Sequence, residues 1–173
     1  ALSLGGGQYN DSNKWWLGAR IGTAIHSLME KEINKHVDTP MEAVFDVLKD
    51  ANVEQRLFIT HLPGYGNIFG NSDLRLTTDN LIDWKTSTRD KIKRYKLDGI
   101  PESYIIQQML YAYGWNQIEE GAVTRCSLVF IARDGTNDAD VLVVSFDYDP
   151  EVVEKALNRL GNVWNYLQSG GDV

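Results

Sequence analysis

The chain has one cysteine, Cys126, among its 173 residues. A single thiol forms no intrachain disulfide and holds no four-thiolate cluster. Its surroundings, CSLVFIA, are apolar and predict a buried, inert thiol. Long hydrophobic runs are also missing. None approaches the ~18–20 residues needed to span a bilayer, and no charged-then-apolar leader opens the chain. These absences fit a reducing, cytoplasmic compartment with no membrane partner. Prolines number four, and each falls at an expected boundary: Pro40, Pro63, Pro101 and Pro150.

Positive charge is in deficit, with 17 Lys and Arg against 24 Asp and Glu, for a net charge of −7. Spread evenly, that balance opposes a polyanionic partner. It is not even: six of the 17 basic residues fall between Lys85 and Lys96, in KTSTRDKIKRYK, opposed only by Asp90. That run is either a solvated loop or an arm that holds phosphates through Arg89, Lys91, Lys93 and Arg94.

Hydrophobic residues make up 43% of the chain, enough for one domain with a real core. The opening ALSLGGGQYNDSN is rich in Gly and polar residues, so residues 1–13 are expected to be flexible and 14–173 to form the domain. Lys14–Lys35 has helical periodicity, with His26 and Glu30 one turn apart on one face. Glu30 either orients His26 or faces solvent. Met41–Ala51 predicts a second, short helix. Strands follow at Val53–His61, Asn67–Thr77 and Asn80–Thr86, then a polar, basic connection over Lys91–Gly99. A helix from Pro101 to about Glu120 is stopped by Gly121. A second hairpin covers Val123–Ala132 and Val141–Phe146. Asp149-Pro150 caps a last helix whose stripe runs from Val153 to Leu167. The order predicts an α/β (mixed α+β) fold with a central mixed sheet of about five strands flanked by helices.

The most informative stretch is GNIFGNSDLRLTTDNLIDWKTST, residues 66–88. Asp83 and Lys85 are two apart on one strand and so share a face, with Leu81; Ile82 and Trp84 point to the other, expected to be the core. A three-residue turn, Thr78-Asp79-Asn80, with Asn80 left-handed, would set Asp73 opposite Lys85 on that face; a bulge could correct the register instead. Two carboxylates beside a lysine suit metal-dependent phosphodiester hydrolysis: the acids hold one or two divalent cations, and the ammonium orients water or steadies phosphate charge.

Four features occur in order: Gly22-x-x-x-His26, then Glu54, then Gly70-x-x-Asp73 with Asp83-Trp84-Lys85-Thr86, and finally Gln107-x-x-x-Tyr111. Together, over roughly Gly22–Tyr111, they resemble the RecB-like branch of the PD-(D/E)XK nucleases, which includes the CRISPR-associated exonucleases. The resemblance implies a restriction-endonuclease-like core and a metal-dependent DNase. It implies exonuclease action on single strands or ends, in recombination, repair or phage- or CRISPR-type DNA processing. His26, Asp73, Asp83 and the backbone carbonyl of Trp84 would bind metal, Lys85 would be catalytic, and Glu54 would be an outer acid. Gln107 and Tyr111 would contact the DNA backbone or brace the site; read from the residues alone, the alternative is a semi-buried polar seam. A nitrogen ligand beside carboxylates suits Mn²⁺ at least as well as Mg²⁺. Cluster-bearing members of the branch use four cysteines, so no iron–sulfur cluster is expected here. Two other readings stay open: a catalytically silent DNA- or partner-binding module, and a hydrolase of small phosphate esters. A homo-oligomer is compatible with either.

Overall fold

The computed structural model describes residues 27, 51–76, 79–135 and 140–170. The helices expected over Lys14–Lys35 and Met41–Ala51 lie almost wholly outside the described residues, as do His26, Glu30 and the start, 1–13; Ser27 is helical. The described elements are strands β1 (Asn52–Leu62), β2 (Gly66–Arg75) and β3 (Asn80–Ser87), helices α1 (Arg89–Asp98) and α2 (Glu102–Ile118), strands β4 (Arg125–Ala132) and β5 (Val141–Asp147), and helix α3 (Pro150–Gln168).

The strands form one mixed sheet in the order β1-β2-β3-β4-β5. Neighbours are antiparallel except β3 and β4, which run parallel from Asn80↔Arg125 to Ser87↔Ala132. A parallel pair needs a crossover, and α1 and α2 provide it. The basic segment is therefore a helix rather than the connection expected from its polarity. Thr88 caps it by accepting the Lys91 N–H at 3.4 Å, Asp90 occupies its first turn, and fully buried Ile92 anchors it. One apolar anchor and a good cap outweigh weak amphipathicity here.

Side chains of paired parallel residues share a face, which puts Leu81 with Cys126, Asp83 with Leu128, and Lys85 with Phe130. This is the face the helices cover. Leu81 and Cys126 pack with Ala112 and Trp115 of α2, while Leu128 and Phe130 pack with Ile92 of α1. The described core thus lies on the Asp83 face, not the Trp84 face as alternation alone suggested, although Trp84 is buried too. Cys126 is fully enclosed, and burial pushes its thiol pKa up to about 12, as expected of an inert core cysteine.

Short polar devices fix the connections. Asn116 donates to the Val123 carbonyl at 3.0 Å and accepts its N–H at 2.8 Å, locking the turn from α2 into β4. The β1–β2 turn closes through Tyr65 N–H to the Leu62 carbonyl at 3.1 Å, with Gly64 at φ 79. Asp149 caps α3 by accepting the Glu151 N–H at 2.9 Å. The α3 stripe reaches that same turn: Trp164 donates to the Pro63 carbonyl at 2.9 Å and meets Tyr65 edge-to-face.

Replacing Leu128 by Ala should remove about 2–5 kcal/mol of stability. Replacing Val143, 58% exposed on the edge strand, should change it by less than about 0.5 kcal/mol. Urea unfolding of both variants measures the contrast.

Candidate active site

β2 and β3 pair only at Leu74↔Ile82 and Arg75↔Leu81, followed by the Leu76 N–H to the Asn80 carbonyl at 2.9 Å. Three residues, 77–79, make the connection, so its length is odd as the site requires. It lies one position earlier than expected, and Asp79 at φ 66, not Asn80, is the left-handed residue. The Asp79 carbonyl accepts the Thr124 N–H at 3.1 Å, and its carboxylate takes the Thr124 hydroxyl, fastening the connection to the start of β4. The shifted register sets Asp73 opposite Asp83 rather than opposite Lys85.

Beyond Leu74 the two strands part. Asp73 Oδ2 there accepts the Trp84 N–H at 3.0 Å, in the place of a ladder carbonyl. Because N–H and C=O of one residue point the same way in an antiparallel strand, the Trp84 carbonyl is directed toward this opening as well.

A break in alternation turns Asp73 to the helix side. Trp115 Nε1 donates to Ser72 Oγ at 3.1 Å, and the Arg75 guanidinium lies 4.4 Å over the Trp115 ring. Residues three apart cannot both do this along a regular strand. The β1–β2 register skips one level, between Val53↔Leu74 and Gln55↔Ser72. At that level stand Asp73 and Glu54, the latter in a left-handed conformation at φ 51, uncommon for a non-glycine residue. As a result Ser72, Asp73 and Leu74 are all buried in succession. Glu54 is exposed, at the register level of Asp73.

Asp83 is 2% exposed and Asp73 7%. Lys85 Nζ reaches Asp83 at 2.9 Å (Oδ1) and 2.6 Å (Oδ2), and sits 5.8 Å from the Tyr104 ring centre. Tyr111 lies close enough to feel both acids: burial first, then the Asp83 charge, and more weakly that of Asp73, push its phenol up to about 12, against a hydrogen bond from Gln107 that lowers it. Gln107 Nε2 donates to that phenolic oxygen at 2.8 Å. Tyr111 is therefore a neutral donor at physiological pH. Gly70 explains itself here, since a Cβ on it would lie 2.4 Å from Tyr111 Cε1. Behind this group, fully buried Gln108 donates to the Leu81 carbonyl at 3.0 Å and ties α2 to β3.

The structure thus gathers Asp73, Asp83, Lys85, Gln107 and Tyr111. Two buried like charges beside one ammonium leave an anionic site with oxygen donors, the donor set that suits Mg²⁺ or Mn²⁺. Among the described residues no three of His, Cys, Asp and Glu come together as a metal cluster, and His26 lies outside them.

The basic residues divide. Arg89 is paired with Asp140, at 2.9 Å (Nε–Oδ1) and 3.1 Å (Nη2–Oδ2), and its backbone N–H donates to Asp134 at 2.8 Å. It fastens the β4–β5 connection to the start of α1. Lys91, Lys93 and Arg94 are exposed. Sequence reasoning missed Tyr104 and Arg133, which with Lys91 and Arg94 line a depression of about 460 Å³ next to Lys85. Arg133 carried no local signal, because the parallel register alone brings it there.

No protein-family model and no curated sequence matches the chain. Its fold is similar to that of SSO0001, with 17% identity and a TM-score of 0.51 over 88% of this chain and 65% of that one. The chain thus spans just under two thirds of that protein's length. Two further similar structures are exonucleases. One is the alkaline exonuclease LHK-Exo of Laribacter hongkongensis, in a complex with dAMP: 16% identity, TM-score 0.48, 89% of this chain and 73% of that one. The other is a phage-related exonuclease from Haemophilus somnus 129PT: 12% identity, TM-score 0.44, 84% and 73%. At these identities the likeness is one of fold.

Gly70→Ala should displace the Tyr111 ring and cost about 1–3 kcal/mol. The Gly70→Ala/Tyr111→Ala double variant should lose clearly less than the sum of the two single losses, because the clash has gone. Additive losses in a denaturation cycle would show that the two residues are not coupled.

Proposed function

We propose that this chain is a divalent-metal-dependent deoxyribonuclease of the PD-(D/E)XK type, RecB-like and without an iron–sulfur cluster. The observation that carries the reading is the meeting of Asp73 and Asp83 at one opening in the sheet, with the Lys85 ammonium on Asp83. A surface pair of acids would separate in solvent. These two are buried within reach of one phenol, an arrangement of like charges that costs free energy unless a cation joins them.

Asp73, Asp83 and the Trp84 carbonyl would hold Mg²⁺ or Mn²⁺, with His26 as a further ligand and Glu54 as an outer acid. The bound cation supplies Lewis-acid stabilisation of charge on the phosphodiester and eases ionisation of water. The residues of the chain do the rest. Asp83 holds Lys85 at hydrogen-bond distance, so the ammonium is placed before substrate arrives. The ammonium can then orient an attacking water or donate a hydrogen bond to a phosphate oxygen as charge develops. Asp73, fixed by the Trp84 N–H, keeps its carboxylate from rotating away. Tyr111, held by Gln107, is a neutral donor facing two anions and braces their orientation. Lys91, Lys93 and Arg94 hold the DNA backbone, while Arg89 supports α1. The substrate is DNA, cut by exonuclease action on single strands or ends, within recombination, repair or phage- or CRISPR-type DNA processing.

Lys85→Ala and Asp83→Asn should each lower cleavage of linear DNA at least about 100-fold while circular dichroism shows a folded chain. Wild-type cleavage should appear only on adding Mg²⁺ or Mn²⁺. Full activity in either folded variant would remove the assignment. Wild-type binding without turnover across the metal series would instead favour a silent DNA-binding module.

A further inference from the structure

The depression beside Lys85 has a charge and lining of its own. Its cations, Lys91, Arg94 and Arg133, come from separate segments of the chain, and Asp90 is the only carboxylate among the described residues that line it. The chain as a whole carries −7, so a net positive concavity here stands against the background charge. No described acid forms an ion pair with Lys91, Arg94 or Arg133, in contrast to Arg89, which Asp140 neutralises. Ser87 and Thr88 add hydroxyls.

Its position relative to Lys85 is set by the sheet. Lys85 pairs with Phe130 and Ser87 with Ala132, and the Arg133 N–H and Nε donate to the Ser87 carbonyl at 2.9 and 3.4 Å. Arg133 therefore sits three residues along from the level of Lys85, about 10 Å of strand. Tyr104 forms the wall between them, its ring held edge-on by Tyr95 and Phe130.

We propose that this depression seats a nucleic-acid phosphate near the Lys85 site, and that Arg133 is the positioning residue that completes it. The proposal rests on the nuclease reading for the identity of the polyanion. Arg133 presents a planar fork of donors suited to a phosphate, and Lys91 and Arg94 supply charge from the facing helix. A volume of about 460 Å³ accepts one phosphate and its sugar. The seated group is either an internal diester or a terminal phosphate.

The test measures binding of a short fluorescein-labelled single strand by anisotropy, in EDTA so that no bond is cut, over a salt series. Arg133→Ala should weaken binding about tenfold and reduce the slope of log K against log salt by about 0.7, one phosphate contact on a single strand. Arg94→Ala should act likewise and serves if Arg133→Ala misfolds. Arg125→Ala, exposed at the far end of β4 and outside the depression, should change neither quantity. An equal loss for oligonucleotides with and without a terminal phosphate assigns an internal diester. A loss confined to the phosphorylated form assigns a terminal one. Unchanged affinity and slope in folded Arg133→Ala and Arg94→Ala overturn the proposal. If wild type cleaves DNA yet these variants bind normally, the seat fails and the nuclease reading stands. If wild type binds with the expected slopes but cuts nothing with either metal, the nuclease reading fails and the seat stands.

Discussion

The site depends on a single hydrogen bond made where a sheet comes apart. β2 and β3 pair for two residues and then separate, and a gap of that kind leaves backbone groups without strand partners. Asp73 fills one of those vacancies by accepting the Trp84 N–H at 3.0 Å. The bond does three things at once. It satisfies a buried donor that would be costly to leave unmet. It fixes the Asp73 carboxylate one residue from Asp83, and it keeps the opening from closing into ordinary ladder. Charge-assisted bonds to backbone N–H are among the stronger ones available, and this one is buried.

The surrounding structure consists of devices that tolerate two acids in an enclosed place. Lys85 balances one of them. Tyr111 stays protonated and so adds no further negative charge. The left-handed Glu54 conformation and the break in β2 alternation turn Asp73 toward Asp83, at the expense of regular strand geometry beside them. Departures from regularity of this kind concentrate where a backbone serves chemistry. Gly70 belongs to the same account, since it lets the phenol approach β2 more closely than any side chain would permit. Arg89 and Asp140 act at one remove by fixing α1, on which two of the cations of the neighbouring depression stand.

Much of this was legible in the chain. Alternation placed Asp83 and Lys85 on one face, the Asp149-Pro150 and Pro101 signals gave two helices, and the strand block followed by a crossover gave a mixed five-stranded sheet. What was not legible has physical causes. α1 has little amphipathicity because its charges face outward and only Ile92, with half-buried Tyr95 beside it, anchors it; Thr88 as cap was the available signal. The exact turn was hidden because Asp79 and Asn80 both tolerate the left-handed region, and tertiary bonds to Thr124 chose Asp79. The face bearing the described core depends on where the helices pack, which alternation does not encode. Arg133 joins Lys91 and Arg94 only through the parallel β3–β4 register, a contact between residues far apart in the chain. The roles given to His26 and Glu30 lie outside the described residues.

The central claim is that Asp73 and Asp83 share one divalent cation. Electron paramagnetic resonance of Mn²⁺, titrated into the wild-type chain and into Asp73→Asn and Asp83→Asn, tests it without any substrate. The account predicts that wild type depletes the free Mn²⁺ signal and that each substitution alone restores most of it in a folded protein. Undiminished Mn²⁺ binding in both folded variants would contradict it.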